Sequence, residues 1–506
     1  MNPKRIITLL LLCLSLALSA QVNGELNTIG DKHVLHVWGN HYERGQAQGY
    51  YMAPQIMEVF NDFYWTMFCF SDASFYTMLW NYYQEHFITD DRMLSEAQGM
   101  IYGMQMSGTN LYHNGIGRNL EAEDILLLNA VWDMVSVRST KTGKNDLVLG
   151  CASLSSWGAA TSADSLLAED GVITRFLDVS QNSALINNPL MVVHHPSETD
   201  EQKWVNVTLP GFFGSLTAIS GSMNYASLNT ASDSWAPNPY NLSPILFDLR
   251  RGIERLDFDA NNITNPVDIF ASIQTGTQLS ASIIHTLGES NGEVYSSVIE
   301  TNNSTTQFRL YNQSGNLPTH HLAATNHFRL ISSPVCCNRY SNIQDSLYSN
   351  PFVDAKRQWR VLSGAAGLET TLTAIQFTPS TGMILWSSAS LAAPAYLLPA
   401  LSLNLGDLFS NPVSNSDDYL VAAKAEISLY PNPHSRQQNL YVKSTEELAS
   451  VELYNIKGQR LNSWTVDSAK GSILLQTDWS SYSRGVYLLK AKTAKGKILS
   501  SRMILQ

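Results

Sequence analysis

The chain has 506 residues, of which 44% are hydrophobic, 15% charged and 10% aromatic, with a formal net charge of −11 at pH 7. That much apolar material builds a large core and more than one ordinary domain, which excludes a disordered tail or a fibrous repeat. Five cysteines exclude a disulfide-dense miniprotein, and the acidic balance lacks the basic footprint of a nucleic-acid binder.

The first segment reads as an address. Lys4 and Arg5 precede the apolar run from Ile6 to Leu18, and Ser19, Ala20 and Gln21 follow. A basic start, a short apolar stretch and small residues at its end predict a secretory signal peptide over residues 1–20. The run falls short of the ~20 apolar residues of a spanning helix, and no later segment reaches that length, so no transmembrane segment is expected in the mature chain. Loss of the signal removes Cys13 and leaves Cys69, Cys151, Cys336 and Cys337. Adjacent cysteines bond to each other only with strain, so Cys336 or Cys337 could pair with Cys69, leaving Cys151 free.

Aromatic residues crowd Met57 to Phe87, among them Phe60, Phe63, Tyr64, Trp65 and Phe68, and few breakers interrupt them. One or two helices are expected there, with the aromatic stripe as core rather than a lipid-binding wall. A further helix is expected over Ala122–Val135, where Leu126, Leu127, Ala130 and Val131 recur at helical spacing. From Leu147 to about Ser332 the pattern turns to short strands, including Val172–Leu177, Trp204–Leu209 and Ser296–Glu300. Helices followed by strands define an α+β class.

Charge changes sign near Lys424. Residues 21–424 carry 19 Lys+Arg against 37 Asp+Glu, whereas residues 425–506 carry 11 against 6. Pro412–Asp418 is rich in turn formers and reads as the approach to a linker. Beyond it, Ser450–Tyr454 and Gly485–Ala491 alternate with period two, and Gly458 and Gly496 punctuate them, which predicts a small all-β module.

For chemistry, the histidine pairs His194-His195 and His320-His321 lack metal-ligand spacing and read as turn or surface residues. There is no HExxH, CxxC, GxSxG or phosphate loop, so no metal or other cofactor is expected. Cys151 is different. A short apolar stretch, Asp146–Gly150, leads directly into Gly150-Cys151-Ala152-Ser153. A glycine before a nucleophile lets the backbone distort, as self-cleavage requires. Cutting Gly150–Cys151 would give Cys151 an α-amine, which titrates near ~7.7–8.0 and can take the thiol proton.

The words around Cys151 carry a resemblance. Trp157–Thr161 is followed by Asp170-Gly171 and then by Arg175-Phe176-Leu177-Asp178. Upstream stand Glu43–Gly49 and Glu123–Asn129, and downstream stand Ala324-Thr325-Asn326-His327-Phe328 and Arg339-Tyr340. Together these resemble the cysteine N-terminal-nucleophile hydrolases. The branch is that of isopenicillin N acyltransferase (acyl-CoA:6-aminopenicillanate acyltransferase), related to choloylglycine (bile-salt) hydrolase, penicillin V acylase and acid ceramidase. The resemblance implies a four-layer αββα sandwich, with residues 21–150 as the α-chain and 151–420 as the β-chain. It implies Cys151 as nucleophile, Asp178 holding the α-amine, Arg175 favouring the thiolate, Asn326 donating to the oxyanion, and Arg339 organising the site or serving autocleavage.

This sequence departs from the pattern at Ala152, Phe176 and Val179, and Ser222 and Ser227 stand at the glycine places around Met223-Asn224. The expected activity is that of an amidase or acyltransferase cleaving non-peptide or terminal C–N amides with an apolar acyl group. Two alternatives are a phospholipase-B-like ester or lipid hydrolase on the same fold and an inactive exported binding protein.

The last residues carry a second resemblance. Leu429-Tyr430-Pro431-Asn432-Pro433, Leu453–Gly458 and Arg484–Leu488 resemble, in that order, the C-terminal sorting domain of the type IX secretion system. The resemblance implies that residues 425–506 route the chain, through that machinery, out of the cell or onto its surface.

Overall fold

The computed structural model describes residues 22–143, 149–231, 240–410 and 427–505, except positions 280, 291, 312, 314–316, 319, 333–335, 431, 433, 438, 456–457 and 495–497. The signal segment, Asp146–Val148 and the Pro412–Asp418 stretch lie outside the described residues. The chain divides into two compact units, Met1–Asn411 and Pro412–Gln506.

The first unit begins with a hairpin of β1 (Gly24–Ile29) and β2 (Lys32–Gly39), turned at Gly30 in the left-handed region. The helix His41–Glu58 follows, closed at its start by an Asn40–Glu43 capping box that satisfies two otherwise orphan N–H groups. It runs on into a π-helical stretch, Val59–Phe68, and breaks at Phe70 and Ser71, both at positive φ. The helices Ala73–His86 and Asp91–Met106 come next. Phe60, Phe63, Tyr64 and Phe68 are fully buried, so the aromatic stripe is core.

The helices His41–Glu58 and Asp91–Met106 pack closely through glycines. A Cβ on Gly45 would lie 2.0 Å from the Glu96 carbonyl, and one on Gly99 would lie 2.0 Å from the Tyr42 carbonyl. Alanine ordinarily favours a helix, yet here it has backbone in its way. Gly99→Ala is therefore expected to lower unfolding stability by about 1–3 kcal/mol despite its better helix propensity. A denaturant midpoint equal to wild type would refute so close a crossing.

A two-stranded ladder of β3 (Tyr112–His113) and β4 (Arg118–Asn119) precedes the helical stretch expected over Ala122–Val135. That stretch splits at Ala130 into Ala122–Asn129 and Val131–Thr142. The strands that carry the rest of the unit are β5 (Leu149–Ser156), β6 (Val172–Val179), β7 (Leu190–Pro196), β8 (Trp204–Thr208), β9 (Thr217–Ser220), β10 (Tyr225–Thr230), β11 (Ser282–Ser290), β12 (Glu293–Thr301), β13 (Thr306–Arg309), β14 (His321–Ala324), β15 (Thr371–Thr378), β16 (Met383–Ser388) and β17 (Leu401–Asn404).

They form a nine-stranded sheet, β1-β2-β7-β8-β9-β10-β11-β12-β13, and a six-stranded sheet, β14-β5-β6-β15-β16-β17. Every neighbouring pair is antiparallel except β2 with β7. Both sheets contribute to one core, where Ile173, Phe377 and Trp386 of the smaller meet Val193, Ile219 and Leu287 of the larger. Ile245–Glu254 and Pro266–Thr275 pack on β9 to β12, Ala355–Ala366 packs on β5 and β6, and Asn338–Ser349 packs on β14. The unit is thus a mixed α and β structure built on two large sheets.

The second unit holds β18 (Ile427–Tyr430), β19 (Leu440–Asn455), β20 (Arg460–Leu475), β21 (Gly485–Thr493) and β22 (Ile498–Leu505). The long strand β19 pairs with β18, β20 and β21, and β21 pairs with β22. Val451, Leu453, Trp479, Leu489 and Met503 form its core. Ser450–Tyr454 lies in β19 and Gly485–Ala491 in β21, where buried and exposed positions alternate as the period-two pattern requires.

Candidate active site

The register of β5 against β6 sorts the singled-out residues onto two faces. Gly150 stands opposite Asp178, Cys151 opposite Leu177, Ala152 opposite Phe176 and Ser153 opposite Arg175. Directly opposed residues share a face and alternate residues do not. Cys151, Ser153, Arg175 and Leu177 therefore face one way, and Ala152, Phe176 and Asp178 face the other.

On the first face, Arg175 is buried and its Nη2 donates both to Cys151 Sγ (3.4 Å) and to the Leu228 carbonyl on β10 (2.7 Å). The Cys151 thiol donates to that same carbonyl at 3.4 Å. On the second face, Phe176 packs between Trp359 and Tyr396, with ring centroids 5.7 and 5.5 Å away. Ala152 is buried on this side as well. Ala152 and Phe176 thus point away from the thiol, whereas Val179, two residues past Leu177, shares its face.

Asp178 lies at the end of β6. Its Oδ2 accepts from Arg339 Nη1 (2.9 Å) and its Oδ1 from Thr371 Oγ1 (2.7 Å). Thr371 reaches it because β15 shifts register between Thr371 and Thr373. Arg339, in the first turn of Asn338–Ser349, also donates through Nη2 to Asn326 Oδ1. That same oxygen accepts the backbone N–H of Cys151 at 3.2 Å. A continuous chain, Asp178–Arg339–Asn326, therefore ends on the Cys151 amide. A Cβ at Gly150 would make only ordinary contacts, 3.4 Å from Asp178 Oδ2 and 3.8 Å from Arg339 Nη2, so this chain does not depend on glycine for space.

Burial pushes the Cys151 thiol above its ordinary range; the Arg175 cation opposes the shift and the Asp178 charge adds to it. Burial also raises the Asp178 carboxyl, against the Thr371 hydrogen bond and the Arg339 and Arg175 charges. In the uncut chain the thiol is held protonated.

All five singled-out residues meet here, but not in every expected contact. The Asn326 amide N–H, expected on an oxyanion, is given to the Thr230 carbonyl at 2.6 Å. The residues that sequence reasoning missed are Thr371, Thr230, the Leu228 carbonyl and Asn229, whose Nδ2 donates to the Thr325 carbonyl at 3.3 Å. A backbone carbonyl has no sequence signal, and Thr371 needs a strand register that no local pattern reveals.

Two expectations are corrected. His194 and His321 are buried, not turn or surface residues. His194 stacks on Trp204 at 4.0 Å, and His321 bonds Ser156 Oγ and the Pro351 carbonyl. Cys69 is buried among the first helices while Cys336 is exposed, and all four described cysteines are free, so no bridge to Cys69 forms.

Among the described residues, two groups bring metal-ligating atoms together, His41 with Glu198 and Glu201, and Asp257 with Asp259 and Asp268. In the first, Glu201 already pairs with Arg44 and Arg92. In the second, Asp268 accepts the backbone N–H groups of Asp259 and Asn265. Both groups have partners without an ion.

Comparison with known proteins assigns the tail. Residues 428–506 match the secretion system C-terminal sorting domain family. The chain is accordingly exported, to the cell surface or beyond it. No helix among the described residues is long and apolar enough to cross a membrane. No curated protein matches the chain.

Among solved structures, the chain is similar to the Caenorhabditis elegans N-acylethanolamine-hydrolyzing acid amidase ortholog, at 18% identity and a TM-score of 0.34, over 45% of this chain and 93% of that one. It is also similar to two variants of conjugated bile acid hydrolase from Clostridium perfringens, both at 8% identity. Their TM-scores are 0.28 and 0.24, over 51% and 52% of this chain and 94% and 87% of theirs.

Proposed function

We propose that the first unit is an exported, self-processed cysteine amidase or acyltransferase of the N-terminal-nucleophile type, with its two sheets and flanking helices as a four-layer αββα sandwich. Residues 21–150 form the leading chain and 151–420 the following one. The observation that carries the reading is the convergence on Cys151 of Arg175 at its thiol and the Asp178–Arg339–Asn326 chain at its amide.

Cutting Gly150–Cys151 turns that amide into an α-amine beside Asp178. The amine takes the thiol proton, and the sulfur attacks the carbonyl carbon of an acyl amide. Arg175 steadies the thiolate. Asn326 gives one Nδ2 hydrogen to the Thr230 carbonyl and has a second to donate to the tetrahedral oxyanion, a contact typically worth about 10²–10³ in rate. Collapse expels the amine, which leaves with the proton, and the acyl-cysteine passes its acyl group to water or to an acceptor amine. Leu177, opposite Cys151 on the same face, sets an apolar side chain beside the thiol, in keeping with an apolar acyl group.

N-terminal sequencing of purified protein, with turnover of an N-dodecanoyl amide against the matched ester, tests the reading. A second N-terminus at Cys151 and faster amide cleavage are expected. Faster ester cleavage would favour the phospholipase-B-like alternative. An unbroken, inert chain would leave an exported binding protein.

A further inference from the structure

A buried histidine that the mechanism does not use is bonded to the nucleophile strand. His285 lies on β11, fully buried, with Ser227 of β10 and Val298 of β12 opposite it. Its Nδ1 is 2.7 Å from Ser153 Oγ and its Nε2 is 2.9 Å from Ser155 Oγ, both on β5. One imidazole thus ties the nine-stranded sheet to two alternate residues of the strand that begins at the scissile bond.

The remaining bonds fix the direction of this chain. Ser296 Oγ donates to the Thr286 carbonyl at 2.8 Å, so toward Ser155 Oγ, 2.7 Å away, it accepts. Ser155 therefore spends its proton on Ser296 and accepts from His285 Nε2–H. Nδ1 is then the acceptor, and Ser153 donates to it. Each hydroxyl is then a donor, with the Leu322 carbonyl at 3.3 Å a longer second acceptor for Ser155, and each imidazole nitrogen has a partner. Burial and the Arg309 charge push the imidazole down to about 3, so the neutral tautomer persists at any working pH.

Ser153 is two residues from Cys151 on the same face and directly opposite Arg175. An anchor at Ser153 sets the depth of both groups against the Leu228 carbonyl. We propose that His285 is a positioning residue, which, through Ser153, holds the Cys151 thiol and the Arg175 guanidinium in the geometry for attack. Ser155 and Ser296 lock its tautomer and carry none of that positioning themselves. The inference rests on Cys151 being the nucleophile.

The test follows cleavage of Gly150–Cys151 in the full chain during cell-free translation, so the chain supplies its own scissile bond. Ser153→Ala and His285→Leu should each slow cleavage roughly a hundredfold, the usual consequence of an ångström-scale misplacement. Ser155→Ala, which loses more buried hydrogen bonds than Ser153→Ala, should slow it far less. His285→Gln, which keeps an acceptor and a donor at similar spacing, should restore most of the rate. The Ser153→Ala/His285→Leu double variant should be no slower than His285→Leu alone.

Equal rates for Ser153→Ala and wild type would overturn the proposal, as would equal losses for Ser153→Ala and Ser155→Ala. If His285→Leu fails to fold, the serine pair still decides. Cys151→Ala is run alongside. Cleavage persisting there, or absent from wild type, sinks the nucleophile reading and this proposal together. Cleavage blocked there but normal in Ser153→Ala sinks this proposal alone.

Discussion

Cys151→Ala is expected to give one unbroken chain, where the unsubstituted protein gives two fragments, and to lower amide turnover on the order of 10⁴-fold or more. The size of the effect follows from what remains. Arg175 keeps its bond to the Leu228 carbonyl, and Asn326 keeps the backbone N–H of residue 151, so binding and polarisation survive while no atom is left to attack. Alanine is slightly smaller than a buried thiol and equally apolar, so the fold should tolerate it. Mass spectrometry of the two proteins, with a thermal melt as control, reads the outcome. Two fragments from the variant would move the nucleophile elsewhere in the chain.

Arg175→Met should be nearly as damaging, and for a different reason. The arginine charge is the foremost opposition to the burial that raises the Cys151 thiol. A cation favours the thiolate, so its removal sends the thiol higher still. At neutral pH the thiolate fraction then falls, and cleavage and turnover fall with it. The check is the rate of Gly150–Cys151 cleavage against pH. Its rising limb should move to higher pH in Arg175→Met and lie between the two in Arg175→Lys. An unmoved limb would show that the guanidinium serves packing only.

The sequence announced the strands more clearly than the helices' ends. Val172–Leu177 lies within β6, Ser296–Glu300 within β12, and Trp204–Leu209 overruns β8 by one residue, since alternation and β-branched residues mark such runs. The breaks at Ala130 and at Phe70-Ser71 were not legible, because neither contains the glycine or proline that usually marks one. At the site, the glycine–cysteine step pointed to Cys151, and the resemblance added Arg175, Asp178, Asn326 and Arg339. Their mutual arrangement did not show, because it depends on the β15 register shift at Thr371 and on carbonyls from β10. Period-two alternation already set Arg175 and Asp178 on opposite faces of one strand. Only the second set of partners explains how both serve one cysteine, one at its sulfur and one toward its nitrogen.

The burial of Cys151 bears on the journey as well as on the chemistry. An exported chain passes through compartments where free thiols meet disulfides and other oxidants, and these react with thiolates that they can touch. A sulfur that is 1% exposed and held protonated offers neither access nor charge. Exposed Cys336 has no such shelter, so any oxidant met in transit would find it first. On the proposed reading, the uncut form is a travelling form, with its nucleophile sealed in until the bond beside it is cut.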